Sequence, residues 1–343
     1  MKMLFIGNIP TNDLRSIGGA SSLNYNLLSF LKRNDAKVTF YELRKNWKPK
    51  WQIIDYIVFL FKFPFISLKY EVISMHATRD FRISIGPFIV LYSKLFNKRT
   101  VCHFYGGFFH KKFEGYPKIF QWWLRHTIFK SDLVLMETKE QVNYFNELFK
   151  KDTITWFPNA RKKQDLQVEN EYSKKFVFIS RVTKQKGVKL MIEIFKELPL
   201  NYTLAIYGPI EGKMKNFIAK VQGKQISYHG SLAPEEIIPT LIKYDLLLLP
   251  TLHPNEGYPG IIIEALSCGK PVISSNLISI SEIIENGKEG ILTKQGDKSQ
   301  LMEAIQFFNT DNYKSFSKNA LEKFELFDEE IVFSKLLKFY LND

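Results

Sequence analysis

Cysteine is nearly missing: only Cys102 and Cys268 occur among 343 residues, with no C-x-x-C spacing. That scarcity excludes a disulfide framework and a thiolate zinc site, and it fits a reducing compartment. Long uninterrupted apolar runs are missing as well. The most apolar stretch, IIDYIVFLFKFPFISL at 53–68, is broken by Asp55, Lys62 and Pro64 and falls short of the roughly 20 apolar residues that a spanning helix needs. The opening MKMLFIGNIPTND has only a brief apolar run before Gly7 and Asn8, too short for a signal-peptide core, and reads as a first strand. No D-x-D, H-E-x-x-H or close His/Cys cluster occurs, so no catalytic metal is indicated. Low-complexity tracts and short repeats are absent too. What remains is an ordinary globular chain, 45% hydrophobic, long enough for about two domains.

Acidic residues are scarce in the first half. Residues 1–170 carry 27 Lys and Arg against 14 Asp and Glu, a balance of +13, whereas residues 171–343 carry 21 of each. A basic half suits nucleic acid, an anionic membrane surface or a phosphorylated substrate, and a plain solvated surface explains it equally simply. No Lys/Arg-patterned reading helix or nucleic-acid motif accompanies the charge, which argues against nucleic acid.

Short apolar runs alternate with helix-length segments, the pattern of parallel α/β units. Strands are expected at 3–9, 38–43, 72–76, 100–105, 133–137 and 153–158, then at 176–180, 202–208, 226–230, 246–250, 271–275 and 290–292. The polar stretch 161–175, RKKQDLQVENEYSKK, lacks periodic apolar positions and lies where the charge balance changes. The expected organisation is a first domain at 1–162, a linker at 163–174, a second domain at 175–326, and a helix at 327–343 packing back on the first domain. Two doubly wound sheets facing each other would hold a ligand in the cleft between their strand ends.

The stretch HPNEGYPGIIIEALSCGKPVISS, residues 253–275, sets Glu256 and Glu264 eight positions apart around a Gly/Pro loop. Pro259 suits the first turn of a helix, where a missing N–H costs nothing. Gly260, Glu264 and Cys268 then share one helical face. A carboxylate flanked by Ile263 and Ala265 needs donors, because burying it unpaired is expensive; sugar hydroxyls qualify. The N–H groups of Gly257, Tyr258, Gly260 and Ile261 lie at a helix start, which favours phosphate.

LLLLPTLHPNEGYP, IIIEAL and CGKPVISS, followed by EIIENGKEGIL, resemble family 4 of the retaining GT-B glycosyltransferases, the glycosyl transferases group 1. Upstream, FVFISRVTKQKGVKLMIEIF is similar to that family's strand, Arg, Lys-Gly, helix element, with Ser180 where glycine is commoner. The resemblance implies two Rossmann-like domains around a central cleft. It implies that Glu256 positions donor-sugar hydroxyls, Glu264 holds the ribose, and Arg181 and Lys186 hold the donor diphosphate. YGPIEG and YHGSLAPEEI resemble the base region, with backbone at Gly208, Gly230 and Leu232 as candidates for contact. In IPTNDLRSIGGASSLNYNLLSFL the Gly pair matches the family's loop beside the transferring phosphate, making Gly18 and Gly19 candidates for close approach. VCHFYGGFF departs from the family: Tyr105 precedes the Gly pair where many relatives have His, and His103 stands two residues back on the same strand face. His103 is balanced between a polar contact with the sugar and a packed core histidine; His110 is a weaker candidate.

The activity implied is metal-independent hexosyl transfer from a nucleotide sugar, UDP-linked by family habit, with retention at the anomeric carbon and no permanently bound cofactor. The acceptor implied is a glycan or a polyprenyl-diphosphate-linked oligosaccharide in capsule, O-antigen or lipopolysaccharide assembly. The aromatic-basic segments KWQIIDYIVFLFKFPF and FFHKKFEGYPKIFQWWLRHTIFK suit an anionic bilayer surface, or simply a core. A cytoplasmic protein peripheral to the inner face of the membrane follows. An epimerase or phosphorylase on the same architecture, a basic nucleic-acid-binding protein and a non-catalytic sugar-binding subunit are the competing readings.

Overall fold

The computed structural model of the chain describes residues 2–11, 16, 18–43, 49–150, 153–166, 171–210, 212, 214–254 and 256–341. The chain divides into two compact units, Met1–Ala160 with Glu329–Asp343, and Arg161–Asp328. Part of the expected linker, 167–170, lies outside the described residues.

Unit 1 alternates strands and helices. Its first half runs β1 (Lys2–Gly7), α1 (Gly19–Arg33), β2 (Lys37–Glu42), α2 (Pro49–Ser67), β3 (Val72–His76), α3 (Arg79–Ser84) and α4 (Gly86–Leu95). There follow β4 (Arg99–Phe104), α5 (Phe109–Glu114), α6 (Lys118–His126), β5 (Leu133–Met136), α7 (Lys139–Phe149) and β6 (Ile154–Trp156). Unit 2 continues with β7 (Lys175–Ile179), α8 (Val188–Glu197), β8 (Thr203–Tyr207), α9 (Met214–Val221), β9 (Ile226–Tyr228), α10 (Ile237–Leu241) and β10 (Leu246–Leu249). It closes with α11 (Gly260–Ser267), β11 (Val272–Ser275), α12 (Ile278–Ser281), β12 (Gly290–Thr293), α13 (Lys298–Phe307) and α14 (Thr310–Phe324). The last helix, α15 (Glu329–Leu341), returns to unit 1.

Each unit holds one six-stranded sheet, ordered β2-β1-β3-β4-β5-β6 and β12-β11-β10-β7-β8-β9. All paired strands are parallel. Parallel sheets bury both faces, so central strands read as continuous apolar runs; all four leucines of β10 are buried. In unit 1 the pleat sends Leu4 and Ile6 to one core with Phe59, Phe63 and Phe129. It sends Met3 and Phe5 to the other, built with Leu23, Leu27, Phe30 and Phe333.

The strand orders fix where a ligand site can form. In unit 2, β7 lies between β8 and β10, so the chain winds outward in opposite directions from that pair. In unit 1 the reversal falls between β1 and β3. Loops leaving the carboxyl ends of such strands diverge and leave a crevice.

Candidate active site

The loops after β7 and β10 meet at the crevice of unit 2. After β7 the chain passes Ser180 and Arg181, makes a short 3-10 turn at Lys184–Lys186, and enters α8 through Gly187 at φ +76°. A Cβ on Gly187 would stand 2.0 Å from the carbonyl oxygen of Pro250. Only glycine allows this left-handed step against that backbone. The close approach is secured by Leu252 N–H donating to the Gln185 carbonyl at 2.7 Å.

This packing brings Lys186 to Glu256. Lys186 Nζ donates to both carboxylate oxygens, at 2.7 and 2.6 Å, with the two side chains only 13% and 12% exposed. Thr251 Oγ1 donates to Oε2 of the same carboxylate at 2.8 Å. Ser279 Oγ fixes the Glu256 carbonyl at 2.7 Å. The pair borders a cavity of about 330 Å³ lined by Arg181, Thr183, Lys184, Gln185, Lys186, His253 and Glu256. Three cations and one carboxylate around a space of small-ligand size leave a net positive lining, suited to a phosphate-bearing molecule.

Glu264 lies on α11 with its side chain 15% exposed, and Arg161 Nε donates to its Oε1 at 2.6 Å. Helix α11 starts at Gly260, with Pro259 as its N-cap in extended conformation, one residue later than the sequence pattern suggests. Ile262 N–H donates to the Pro259 carbonyl at 3.1 Å. Gly260 and Ile261 therefore occupy the first turn, whose N–H groups have no partner within the helix. Gly257 precedes them in the loop, half-buried. Tyr258 points inward: its hydroxyl donates to Glu282 at 2.8 Å and its ring packs near Phe327. The aromatic side chain thus anchors the loop.

Gly208, Gly230 and Leu232 follow β8 and β9. Gly208 N–H donates to the Gly230 carbonyl at 2.7 Å. At φ +129°, a Cβ on Gly208 would fall 1.9 Å from the Ser180 carbonyl oxygen, so glycine is demanded here by packing against the end of β7. Leu232 is half-buried.

Unit 1 holds the remaining candidates. Gly18 is the N-cap of α1 and Gly19 its first residue; a Cβ on either would meet nothing within 4 Å among the described residues. Gly18 N–H donates to Ser21 Oγ at 3.1 Å. On α1, Asn24 Nδ2 donates to the carbonyls of Asn8 and His76, at 2.8 and 2.9 Å, tying together the ends of β1 and β3. Tyr105 donates its hydroxyl to Asn24 Oδ1.

His103 is wholly enclosed in β4. Its Nδ1 lies 3.2 Å from His76 Nδ1, and its ring stands edge-on to Phe157. Burial, with His76 and Arg82 nearby, pushes His103 well below the usual imidazole range. Burial alone takes His76 down to about 3. This neutral pair is part of the packed interior of unit 1. His110 is also buried, with Nε2 3.3 Å from Glu140 Oε1.

Arg161, Thr251, Gln185 and His253 were not singled out by the sequence. Arg161 opens the polar stretch 161–175, just before the expected linker, and lies 103 positions from Glu264. Thr251 follows Pro250 at the end of β10, and that place at a strand's carboxyl end is the one signal that could have found it.

Two parallel α/β units with this winding define the GT-B class of fold. Residues 159–323 match the family model of the glycosyl transferases group 1. Over 204 residues the chain is 26% identical to an uncharacterized glycosyltransferase of Methanocaldococcus jannaschii, MJ1178, covering 59% of this chain and 57% of that protein. Over 133 residues it is 33% identical to the amylovoran biosynthesis glycosyltransferase AmsK of Erwinia amylovora, covering 36% and 33%. The alignments thus span about half or less of these relatives' lengths. Among solved structures, Anabaena HepE in complex with UDP matches with a TM-score of 0.73 at 16% identity, over 100% of both chains.

Proposed function

We propose that the chain is a retaining glycosyltransferase of family 4 that moves a hexosyl group from a UDP-sugar to a glycan or lipid-linked acceptor in surface polysaccharide assembly. The observation that carries this reading is the Lys186–Glu256 pair beside Arg181, bordering one cavity at the crevice of unit 2. The amylovoran relative supports the polysaccharide context, and the UDP complex of a similarly folded protein supports the donor.

The chemistry follows from charge flow. The bond between the anomeric carbon and the donor phosphate breaks, a bond from that carbon to the acceptor oxygen forms, and the acceptor's proton passes to a departing phosphate oxygen on the same face. Negative charge grows on the diphosphate. Arg181, Lys186 and the N–H groups around Gly257, Gly260 and Ile261 stabilise it, fixed in place before the reaction. Glu256 accepts hydrogen bonds from the sugar and Glu264 from the ribose. Gly18 and Gly19 serve close approach to the phosphate, Gly208 and Leu232 the base. His103 acts, in this scheme, from within the wall of unit 1 and not by exchanging protons with solvent.

The site of action proposed is the cytoplasmic face of the membrane, with unit 1 lying against anionic lipid. Among the described residues no helix is long and apolar enough to cross a membrane. Helix α2 nevertheless turns Ile54, Ile57, Phe61 and Phe65 outward, and Lys62 lies among them.

A panel of UDP, GDP, ADP and dTDP, read by thermal shift and by hydrolysis of the matching nucleotide sugars, tests the proposal. UDP at 100 times its dissociation constant stabilises by about 2.7 kcal/mol, a shift of several degrees. Lys186→Ala and Glu264→Ala are expected to lose that shift, and Lys189→Ala, a surface control, to keep it. An undiminished shift in both site variants would remove the proposed site; release of an isomerised free nucleotide sugar would redirect the reading to an epimerase.

A further inference from the structure

Glu264 is held before any ligand arrives. Arg161 Nε donates to its Oε1 at 2.6 Å, and both side chains are largely withdrawn from water, 12% and 15% exposed. Arg161 itself starts from a fixed point. Its N–H donates to the Phe327 carbonyl at 3.0 Å, and it pairs with Asp328 in a parallel bridge. Ser267 Oγ, donating to the Glu264 carbonyl at 2.7 Å, fixes the other end of the contact.

A carboxylate in such surroundings stays ionised and oriented only with a compensating donor. The Nε edge of a guanidinium is planar and directional, which a lysine ammonium is not. Engaging Oε1 leaves Oε2 able to accept from a further donor.

We propose that Arg161 is a positioning residue that aims Glu264 at the ribose of the donor and so sets the preference for a ribonucleotide. This rests on the reading of Glu264 given above, and it adds the residue that opens unit 2. Arg161 does not touch the diphosphate in this scheme. Its loss therefore lowers discrimination at the ribose more than it lowers nucleotide binding as a whole.

The experiment compares UDP with 2′,3′-dideoxy-UDP by calorimetry on the full chain, in the wild type, Arg161→Ala, Arg161→Lys and Glu264→Gln. One hydrogen bond to a charged group is worth on the order of a tenfold preference or more, so the wild type is expected to favour UDP by about that factor. Arg161→Ala is expected to cut the ratio to roughly threefold or less, with dideoxy-UDP binding kept within about threefold of wild type. Arg161→Lys is expected to recover part of the ratio and, by keeping the charge, guards against a variant that fails to fold. A full ratio in Arg161→Ala, or an equal loss for both nucleotides, overturns the proposal and leaves Arg161 a structural residue. A wild type that binds UDP without preferring the ribose hydroxyls overturns the Glu264 reading as well. A wild type that binds neither overturns the nucleotide site altogether.

Discussion

His76 and His103 show how strongly the interior of unit 1 constrains single residues. Their Nδ1 atoms lie 3.2 Å apart, a contact that requires one ring to donate and the other to accept, so the accepting ring must be neutral, and burial disfavours charge on either ring. The folded His76 titrates at about 3, against an ordinary value of 6.5. Below pH ~6.5 the unfolded chain takes up a proton that folded His76 refuses, and stability falls by about 1.4 kcal/mol per pH unit until the pH nears the folded value. His103 acts in the same direction. Urea midpoints between pH 7.5 and 5.0 should therefore decline, and His103→Gln, which cannot titrate, should make the decline shallower; an unchanged slope would show that the pair does not govern acid sensitivity. Two glycines give a second contrast. Gly187→Ala forces a left-handed alanine against the Pro250 carbonyl and should cost about 3 kcal/mol or more. Gly19→Ala meets open space and should keep stability within about 1 kcal/mol. If Gly19 lies beside the donor phosphate, donor turnover nevertheless falls at least about tenfold, and normal turnover would separate it from the reaction.

At the scale of elements, all twelve expected strands coincide with observed ones to within a few residues. The reason is physical: a parallel strand buried on both faces must be an apolar run bounded by turn residues. Side-chain pairing had no such signature. Lys186 and Glu256 are 70 positions apart, so no local period links them, and Arg161 carries no local mark because its partner Glu264 lies 103 positions away on α11. Tyr258 was marked correctly as part of a loop, but its inward turn depends on Glu282, beyond that loop. Helix α2 is ambiguous in sequence because apolar residues fall on more than one of its faces. Tyr56, Phe59, Phe63 and Ser67 face the core, while Phe61 and Phe65 are 74% and 76% exposed. A helix with a second apolar face needs a second apolar neighbour. Ring contact of Phe63 with Tyr92 joins α2 to α4, whose Phe88, Leu91 and Leu95 are also exposed. If this surface meets lipid, Phe61→Ser with Phe65→Ser should weaken co-sedimentation with phosphatidylglycerol vesicles by at least about tenfold, since burying one Phe is worth about 1.5–3 kcal/mol. Thermal stability should barely change, because neither ring supports the core; undiminished vesicle binding would count against this face.

At the scale of the whole molecule, the two units differ in continuity. Unit 2 is one uninterrupted segment, Arg161–Asp328, whereas unit 1 needs Glu329–Asp343 to return to it. Helix α15 lays Val332, Phe333, Leu336 and Tyr340 into the core formed with Phe5, Leu23, Leu27 and Phe30. Its contacts are specific: Arg33 meets Glu329 at 2.7 Å, Tyr340 shares a hydrogen bond with Ser74 at 2.7 Å, and the Arg99 guanidinium lies 4.1 Å above the Phe339 ring. Four buried side chains at about 1.5–3 kcal/mol each rival the whole net stability of a domain, about 5–15 kcal/mol. Residues 161–328 expressed alone should therefore unfold cooperatively, and residues 1–160 alone should not. The parallel bridge between Arg161 and Asp328 sets the two chain crossings side by side, so a few Gly and Ser residues joining position 160 to 329 span the gap. That fusion should recover cooperative unfolding by circular dichroism, and the same fusion carrying Phe333→Ala should lose about 3–5 kcal/mol of it. A cooperative transition from 1–160 without the helix would mean that α15 merely covers a core already complete.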